Sequence, residues 1–166
     1  MFATLTLTIM TTNTLNFAEE LKALGFSNLL PMRDRVVFLP TAKWMNSFLA
    51  KVNSEIQRLR QLYPLASKEQ FDCDDCVEVG LNHALRARLA STEFSGAGHA
   101  IGRAGIIISN FGGSGYLGIK QGGSHGTGIA KVRDLGWCFW EPQTKRWEKC
   151  ETVIAGGGIT PLWASV

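Results

Sequence analysis

The hydrophobic periodicity of the chain changes once along its length, and this change restricts the fold more than any single motif does. Before about residue 90, apolar residues recur every three or four positions, as in amphipathic helices. The longest apolar stripe consists of Trp44, Phe48, Val52, Ile56, Leu59 and Tyr63. After Gly96, short β-branched runs alternate with glycine-rich turns, which is typical of an antiparallel sheet. Helices followed by a sheet predict an α+β fold, with N-terminal helices packed on a C-terminal antiparallel sheet.

The ends of several elements can be placed from the sequence. Thr41 is a favourable N-cap for the helix that carries the stripe, and Pro64 ends that helix. Asp72 is expected to cap a second helix running to about Leu89, with a buried face of Val77, Leu81, Ala84 and Leu85. A short helix is expected over residues 17–24, and a long hairpin or lid over residues 112–128. Strands are expected over residues 6–9, 36–39, 104–108, 129–132, 136–141, 146–147 and 152–155.

Length and charge limit the classes of function. At 166 residues the chain fits a single domain, residues 1–166, which buries roughly 70% of its unfolded surface. The net charge is +3 without a clustered basic stripe, so no nucleic-acid partner is expected. No apolar run reaches the length of a membrane span, and residues 1–10 lack the basic start of a signal peptide. The sequence therefore predicts a cytoplasmic protein without membrane association, in which the four cysteines are free thiols, with two disulfides as the alternative.

Cys73 is the candidate nucleophile. It follows the predicted cap Asp72, and the N-terminus of a helix favours the thiolate, which is the reactive form of cysteine. A thiolate nucleophile needs a base, and a histidine base needs an orienting acceptor. His125, in a glycine-rich stretch, and Glu141, at the end of an aromatic strand, supply these two groups in the chain order of a thiol hydrolase. Alone, each of the three residues also has an ordinary structural explanation.

Asp74 and Asp75 follow the candidate nucleophile directly. Acidic residues in the first turn of a helix are favourable and need no function. Their negative charge nevertheless opposes a thiolate, and a bound divalent cation would cancel that penalty. Carboxylate oxygens suit hard ions, so the expected cation is Ca²⁺ or Mn²⁺.

Three blocks of this sequence together resemble a known family. They are residues 71–75 (FDCDD), the glycine-rich stretch around His125, and residues 140–144 (WEPQT). In this order they resemble the papain-like C-terminal domain of mushroom chimeric agglutinins and its uncharacterised bacterial and phage relatives. Residues 38–44 (FLPTAKW) resemble the segment that precedes these blocks in such relatives. The resemblance covers about residues 36–147.

The resemblance implies a papain-like fold and a cysteine peptidase that depends on calcium or manganese. By this resemblance Cys73 is the nucleophile, His125 the base and Glu141 the third member of a triad, while Asp74 and Asp75 are metal ligands. The implied substrate is a peptide or an amide. The sugar-binding β-trefoil of the agglutinins has no counterpart in this sequence, so no lectin function is implied.

Three other interpretations are compatible with the sequence. Cys73 and Cys76 form a Cys-X-X-Cys motif at a helix start, as in dithiol oxidoreductases. The same two cysteines, with histidines or cysteines elsewhere, would form a zinc site. Finally, a non-catalytic structural or binding protein would keep the fold without the chemistry, because catalysis depends on placement finer than a sequence specifies.

Overall fold

The computed structural model describes residues 11–30, 36–63, 71–90, 98–109, 116–119 and 122–166, so the strand expected over residues 6–9 lies outside the described residues. The helices are α1 (Phe17–Ala23), α2 (Ala42–Leu62), α3 (Cys73–Leu89) and α4 (Cys150–Ala155). The strands are β1 (Thr11–Asn13), β2 (Asn28–Leu29), β3 (Val36–Phe38), β4 (Gly98–His99), β5 (Ile101–Ile108), β6 (Gly123–Val132), β7 (Gly136–Glu141), β8 (Arg146–Lys149) and β9 (Ile159–Ser165). The fold is α+β, as the sequence predicts.

A six-stranded sheet in the order β2-β9-β5-β6-β7-β8 forms the centre of the molecule. Its pairs are antiparallel apart from β2 with β9, which run parallel. The β5–β6 ladder is long, from Ile101 opposite Ala130 to Ile108 opposite Gly123. The β6–β7 ladder is shorter and ends where Gly128 pairs with Trp140. A smaller sheet contains β1, β3 and β4.

Each face of the large sheet carries an apolar cluster. Neighbouring residues of a strand point to opposite faces, so Ile129 belongs to one cluster and Ala130 to the other. The first cluster joins α1 and α4 to the sheet through Phe17, Leu21, Ile106, Ile129, Phe139 and Cys150. The second joins α2 and α3 to the opposite face through Met45, Val52, Val77, Ala130 and Trp140. Helices therefore cover both faces of the sheet.

The predicted helix starts are confirmed. Thr41 caps α2, and its hydroxyl accepts a hydrogen bond from the Trp44 backbone N–H at 3.1 Å. Asp72 caps α3 in a capping box with Asp75. The buried faces of α2 and α3 contain fewer residues than expected. Tyr63 lies beyond the last turn of α2 and is 65% exposed. Leu85 is also exposed, since the neighbouring Ala84 occupies the buried face of α3.

The C-terminal quarter differs from the sequence-based expectation. Residues 152–155 form most of α4, not a strand, because packing overrides the β-propensity of Thr, Val and Ile. β9 was not predicted, since Pro161 lies within it and proline disfavours a sheet interior. The β5–β9 register shifts between Gly105 and Ile106, where Pro161 pairs, and this irregularity accommodates the missing N–H. Of the long hairpin or lid expected over residues 112–128, Tyr116 and Ile119 form an antiparallel bridge and residues 123–128 belong to β6, while residues 112–115 and 120–121 lie outside the described residues.

Trp140 sets the separation between α3 and the sheet. Its side chain is fully buried and lies between Gly80 of α3 and Gly128 of β6. A Cβ atom at Gly80 would approach the Trp140 ring to 2.6 Å, and one at Gly128 would overlap the ring. A side chain at either position would collide with the Trp140 ring, so both residues must be glycine. Trp140 fills the space between them.

Adding a methyl group at this junction is expected to destabilise the fold. Gly128→Ala and Gly80→Ala each force the indole or α3 to move, which costs about 1–3 kcal/mol of unfolding free energy. Gly156→Ala is the matched control, because a Cβ there meets its nearest atom at an ordinary 3.4 Å. Chemical denaturation measures all three variants. Equal stability of Gly128→Ala and Gly156→Ala would contradict the role given to Trp140.

Among the helices of the described ranges, none combines the length and the apolar character that crossing a membrane requires.

Candidate functional site

Cys73 is the first residue of α3, and its surroundings follow from the helix start. The Asp72 carboxylate accepts from the Asp74 backbone N–H at 3.0 Å, and Asp75 accepts from the Asp72 backbone N–H at 3.3 Å. The Gly126 backbone N–H of β6 donates to the Cys73 sulfur at 3.3 Å. The thiol thus lies at the positive end of the helix dipole, and a further backbone donor is aimed at its sulfur.

His125 and Glu141 form a buried pair next to this thiol. His125 Nε2 and Glu141 Oε2 are 2.8 Å apart, with exposed fractions of 8% and 0%. Cys73 lies close enough to the His125 ring to help raise the pKa of that imidazole. Because Nε2 faces the carboxylate, Nδ1 is the ring nitrogen left for the sulfur. The structure thus brings the three residues singled out from the sequence into one chain of contacts, while their catalytic roles stay predictions.

The protonation of His125 follows from these contacts. Burial alone would lower the pKa of the imidazole, but hydrogen bonds from Cys73 and Glu141, together with their negative charges, raise the pKa to about 9. The imidazole is then protonated at neutral pH. A positive imidazolium beside Cys73 favours the thiolate, which is the pairing that nucleophilic cysteines need.

Glu141 is itself fixed on both oxygens. Oε2 faces His125, and Oε1 accepts a hydrogen bond from the Gln143 backbone N–H at 3.1 Å. On the other side of His125, the Tyr116 ring packs edge-on at 5.7 Å, and its hydroxyl is 2.7 Å from Thr127 Oγ1. These contacts leave the imidazole little freedom to rotate.

Asp74 and Asp75 have separate contacts. Asp75 completes the capping box, whereas Asp74 Oδ1 lies 4.0 Å from the Cys73 sulfur and against Gly126, where a Cβ atom would overlap it. Within the described ranges, no three His, Cys, Asp or Glu side chains come together as a metal site. Ca²⁺ takes six to eight oxygen ligands, so these two carboxylates do not make a complete site by themselves. The expected Ca²⁺ or Mn²⁺ stays a prediction.

A cavity of about 530 Å³ opens next to residues that contact Cys73, although neither Cys73 nor His125 lines it. Asp74 and Gly126 form its wall at the Cys73 end. Val77, Ala104 and Trp163 make much of the remaining wall apolar. A cavity of this size and character is typical of a ligand site.

The other three cysteines are buried, and all four are free. Burial raises the pKa of both Cys76 and Cys138 to about 12, and raises that of Cys150 further. Cys73 is the one cysteine with exposed surface. A dithiol redox pair would need Cys76 to ionise and to be reachable, so its burial disfavours that interpretation. The zinc interpretation lacks a group of ligands within the part of the chain that the structure describes.

Solved structures similar to this chain include a complex of PSL1a with E64 (16% identity, TM-score 0.63) and the Polyporus squamosus lectin bound to the human-type influenza-binding epitope Neu5Acα2-6Galβ1-4GlcNAc (14% identity, TM-score 0.65). The alignments cover 94% of this chain in both cases. They cover only 51% and 49% of those chains, so this chain spans about half their length. No family model and no curated protein sequence matches this chain.

At this level of identity the comparisons show a shared fold and nothing finer. They agree with the resemblance to mushroom agglutinins that residues 71–75 and 140–144 indicate. A peptidase activity does not follow from them.

Some residues around the thiol were not singled out from the sequence. The Gly126 and Gln143 contacts come from backbone N–H groups, which carry no side-chain signature. Trp163 lies on β9, a strand that was not predicted. The glycine that follows His125 is a partial signal, because a close approach of the Asp74 carboxylate requires it.

The His125 pair predicts a pH dependence of stability. Because the folded-state pKa of about 9 lies above the ordinary 6.5, the protonated imidazole stabilises the fold fully below pH 6.5. This contribution is lost as the pH rises through 9. His125→Gln is therefore expected to flatten the fall in unfolding free energy between pH 6.5 and 9, measured by urea denaturation.

His99→Gln is the matched control for this measurement. Burial lowers the pKa of His99 to about 4, so this ring is neutral throughout the same pH range. The control should keep the slope of the unmodified protein. The same slope in His125→Gln would contradict the raised pKa of His125.

Proposed function

We propose that this protein is a papain-like cysteine hydrolase that cleaves a peptide or amide bond through a thioester on Cys73. The observation that carries the proposal is the contact chain from the Cys73 sulfur through His125 to Glu141. Such a chain, with the thiol at a helix N-terminus, is the arrangement of an activated nucleophile with an oriented base. The buried alternatives Cys76, Cys138 and Cys150 lack it.

The proposed reaction has two steps. The Cys73 thiolate attacks the carbonyl carbon, and the C–N bond breaks as the His125 imidazolium gives its proton to the leaving amine. Water then attacks the thioester carbon, and the imidazole takes a proton from that water. The C–S bond breaks and releases the Cys73 thiolate. The product acid leaves, and the Cys73–His125 pair is restored. Glu141 keeps the ring oriented and stabilises its positive form in both steps.

The oxyanion of each step needs hydrogen-bond donors. The first backbone N–H groups of a helix have no partner within it, and Cys73 is the first residue of α3. The Asp72 cap already accepts from the Asp74 N–H, so we assign the oxyanion to the backbone N–H of Cys73 itself. The apolar cavity that Asp74 and Gly126 line is then the proposed site of the acyl portion of the substrate.

Thiol alkylation tests the nucleophile without knowledge of the substrate. Iodoacetamide is expected to label Cys73 at pH 7 at least about tenfold faster than a model thiol, because the proposed nucleophile lies at a helix N-terminus beside the His125 imidazolium. Cys76, Cys138 and Cys150 are internal controls that should stay unlabelled in the folded protein. Peptide mass spectrometry reads out each site. His125→Ala should slow the labelling of Cys73, and an unreactive Cys73 would contradict the proposal.

Turnover is tested with a mixed fluorogenic peptide library. Hydrolysis should be lost in Cys73→Ala and should fall by about 10²-fold or more in His125→Ala. E64, the ligand of one neighbouring structure, carries an epoxide that a thiolate opens, so it should attach to Cys73. Cys138→Ala is the matched control and should keep both activities.

Cation binding is a separate proposal, and no step of the reaction depends on it here. CaCl₂ or MnCl₂ should raise the melting temperature if Asp74 contributes oxygen ligands. Asp74→Asn should abolish this shift. Asp134→Asn, in the exposed turn after β6, is the matched control and should keep it. An equal cation-induced rise in melting temperature in both variants would show that Asp74 is not a cation ligand. Asp74 and Asp75 would then serve only the start of α3.

The second candidate is a non-catalytic binding protein. The neighbouring lectin that binds a sialylated glycan favours it, because this chain shares the fold of about half of that molecule. Calorimetry with Neu5Acα2-6Galβ1-4GlcNAc tests a carbohydrate ligand directly. Glycan binding combined with an unreactive Cys73 would favour this second function over hydrolysis.

A further inference from the structure

Helix α2 contacts the turn that follows β7 through two residues. Asn53 Nδ2 donates to the carbonyl oxygens of Pro142 and Gln143 at 3.1 and 2.9 Å. Arg60 Nη2 donates to the Gln143 side-chain oxygen at 2.9 Å. Seven residues separate Asn53 from Arg60, which is about two helical turns, so both project from one face of α2. This face of α2 therefore binds both the backbone of the turn and the side chain of Gln143.

The backbone of this turn also holds the Glu141 side chain in place. The Gln143 backbone N–H donates to Glu141 Oε1, while Glu141 Oε2 faces His125. Each carboxylate oxygen thus has one partner, and the Gln143 N–H fixes how the carboxylate is rotated. A shift of the turn would change the direction in which Oε2 presents its lone pairs to the imidazole.

Arg60 also reaches the segment that carries the nucleophile. Its guanidinium lies 5.7 Å from the centre of the Phe71 ring, and Nη2 is 3.9 Å from the Cys76 sulfur. Phe71 precedes the cap of α3, and Cys76 lies in its first turn. One guanidinium therefore contacts both the start of α3 and the turn after Glu141. It ties together the two segments whose relative position sets the distance from Cys73 to Glu141.

We infer that Asn53 and Arg60 are positioning residues for the Cys73–His125–Glu141 chain, and this inference rests on the proposed function of that chain. They act through Gln143, which holds the carboxylate that orients the imidazole. Loss of either contact is expected to lower kcat with little change in KM, because the oriented base acts in the reaction and not in substrate binding. Small displacements of an oriented group commonly cost up to about 10²-fold in rate.

Two pairs of variants test the inference. Asn53→Asp removes both donors at constant size, and its control Asn46→Asp makes the same charge change on α2 while keeping the oxygen that accepts from Trp147 Nε1. Arg60→Gln removes the guanidinium, and its control Arg58→Gln removes one paired with Glu55 at the surface. Melting temperatures verify that each variant folds.

The main readout is the far-downfield proton resonance of the imidazole N–H that bonds to Glu141. It is assigned by its absence from His125→Gln. Asn53→Asp and Arg60→Gln should broaden or remove this resonance through exchange with water, and should slow iodoacetamide labelling of Cys73 about tenfold. Asn46→Asp and Arg58→Gln should leave both readouts unchanged. A merely structural role would move the melting temperature and leave the resonance in place.

The outcomes separate this inference from the proposed function. An unchanged resonance in both folded test variants overturns the positioning role, whatever the reactivity of Cys73. A resonance that responds in a protein whose Cys73 is unreactive supports the positioning role and rejects the hydrolase. A response in the control variants that equals the response in the test variants also overturns the inference.

Discussion

The packing of Trp140 between two glycines is the constraint on which the rest of the molecule depends. The indole lies between Gly80 of α3 and Gly128 of β6, and one additional carbon atom at either glycine would collide with it. This contact fixes how closely the helix approaches the sheet. Gly128 also ends the β6–β7 ladder, so His125 lies on a part of β6 that β7 no longer pairs with. The buried tryptophan therefore helps to set how closely the helix that carries the thiol approaches the strand that carries the histidine.

Electrostatics then couple the helix to the sheet. Glu141 is fully buried, and a buried carboxylate is costly unless it is paired and hydrogen-bonded. The Gln143 N–H and the His125 ring supply these partners. The same pairing raises the pKa of His125 to about 9, which places a positive charge beside Cys73 at neutral pH. The pairing of His125 with Glu141 thus serves both the stability of the fold and the proposed chemistry.

Cys73 has different surroundings from the other three cysteines. Cys76 lies one turn away on the same helix, but it faces the apolar cluster between α2, α3 and the sheet. Burial raises its pKa to about 12, whereas Cys73 meets the Gly126 N–H at the open end of the helix. The proposed division of roles between two cysteines three positions apart therefore follows from their places in α3, because Cys73 is its first residue whereas Cys76 lies further along and packs in the apolar cluster.

The sequence by itself determined the α+β class, the N-caps Thr41 and Asp72, and the strand Gly136–Glu141, because hydrophobic period and capping chemistry are local properties. It also singled out Cys73, His125 and Glu141, whose residue types and chain order suit one kind of chemistry. Tertiary structure alone decided what lies outside local propensity. Residues 152–155 became helical against their β-propensity, and β9 formed around Pro161 because β5 offered an irregular register there. The contact of Gly126 with Cys73 joins residues distant in the chain, and so do the contacts of Asn53 and Arg60 with the turn that holds Glu141. No local pattern records them.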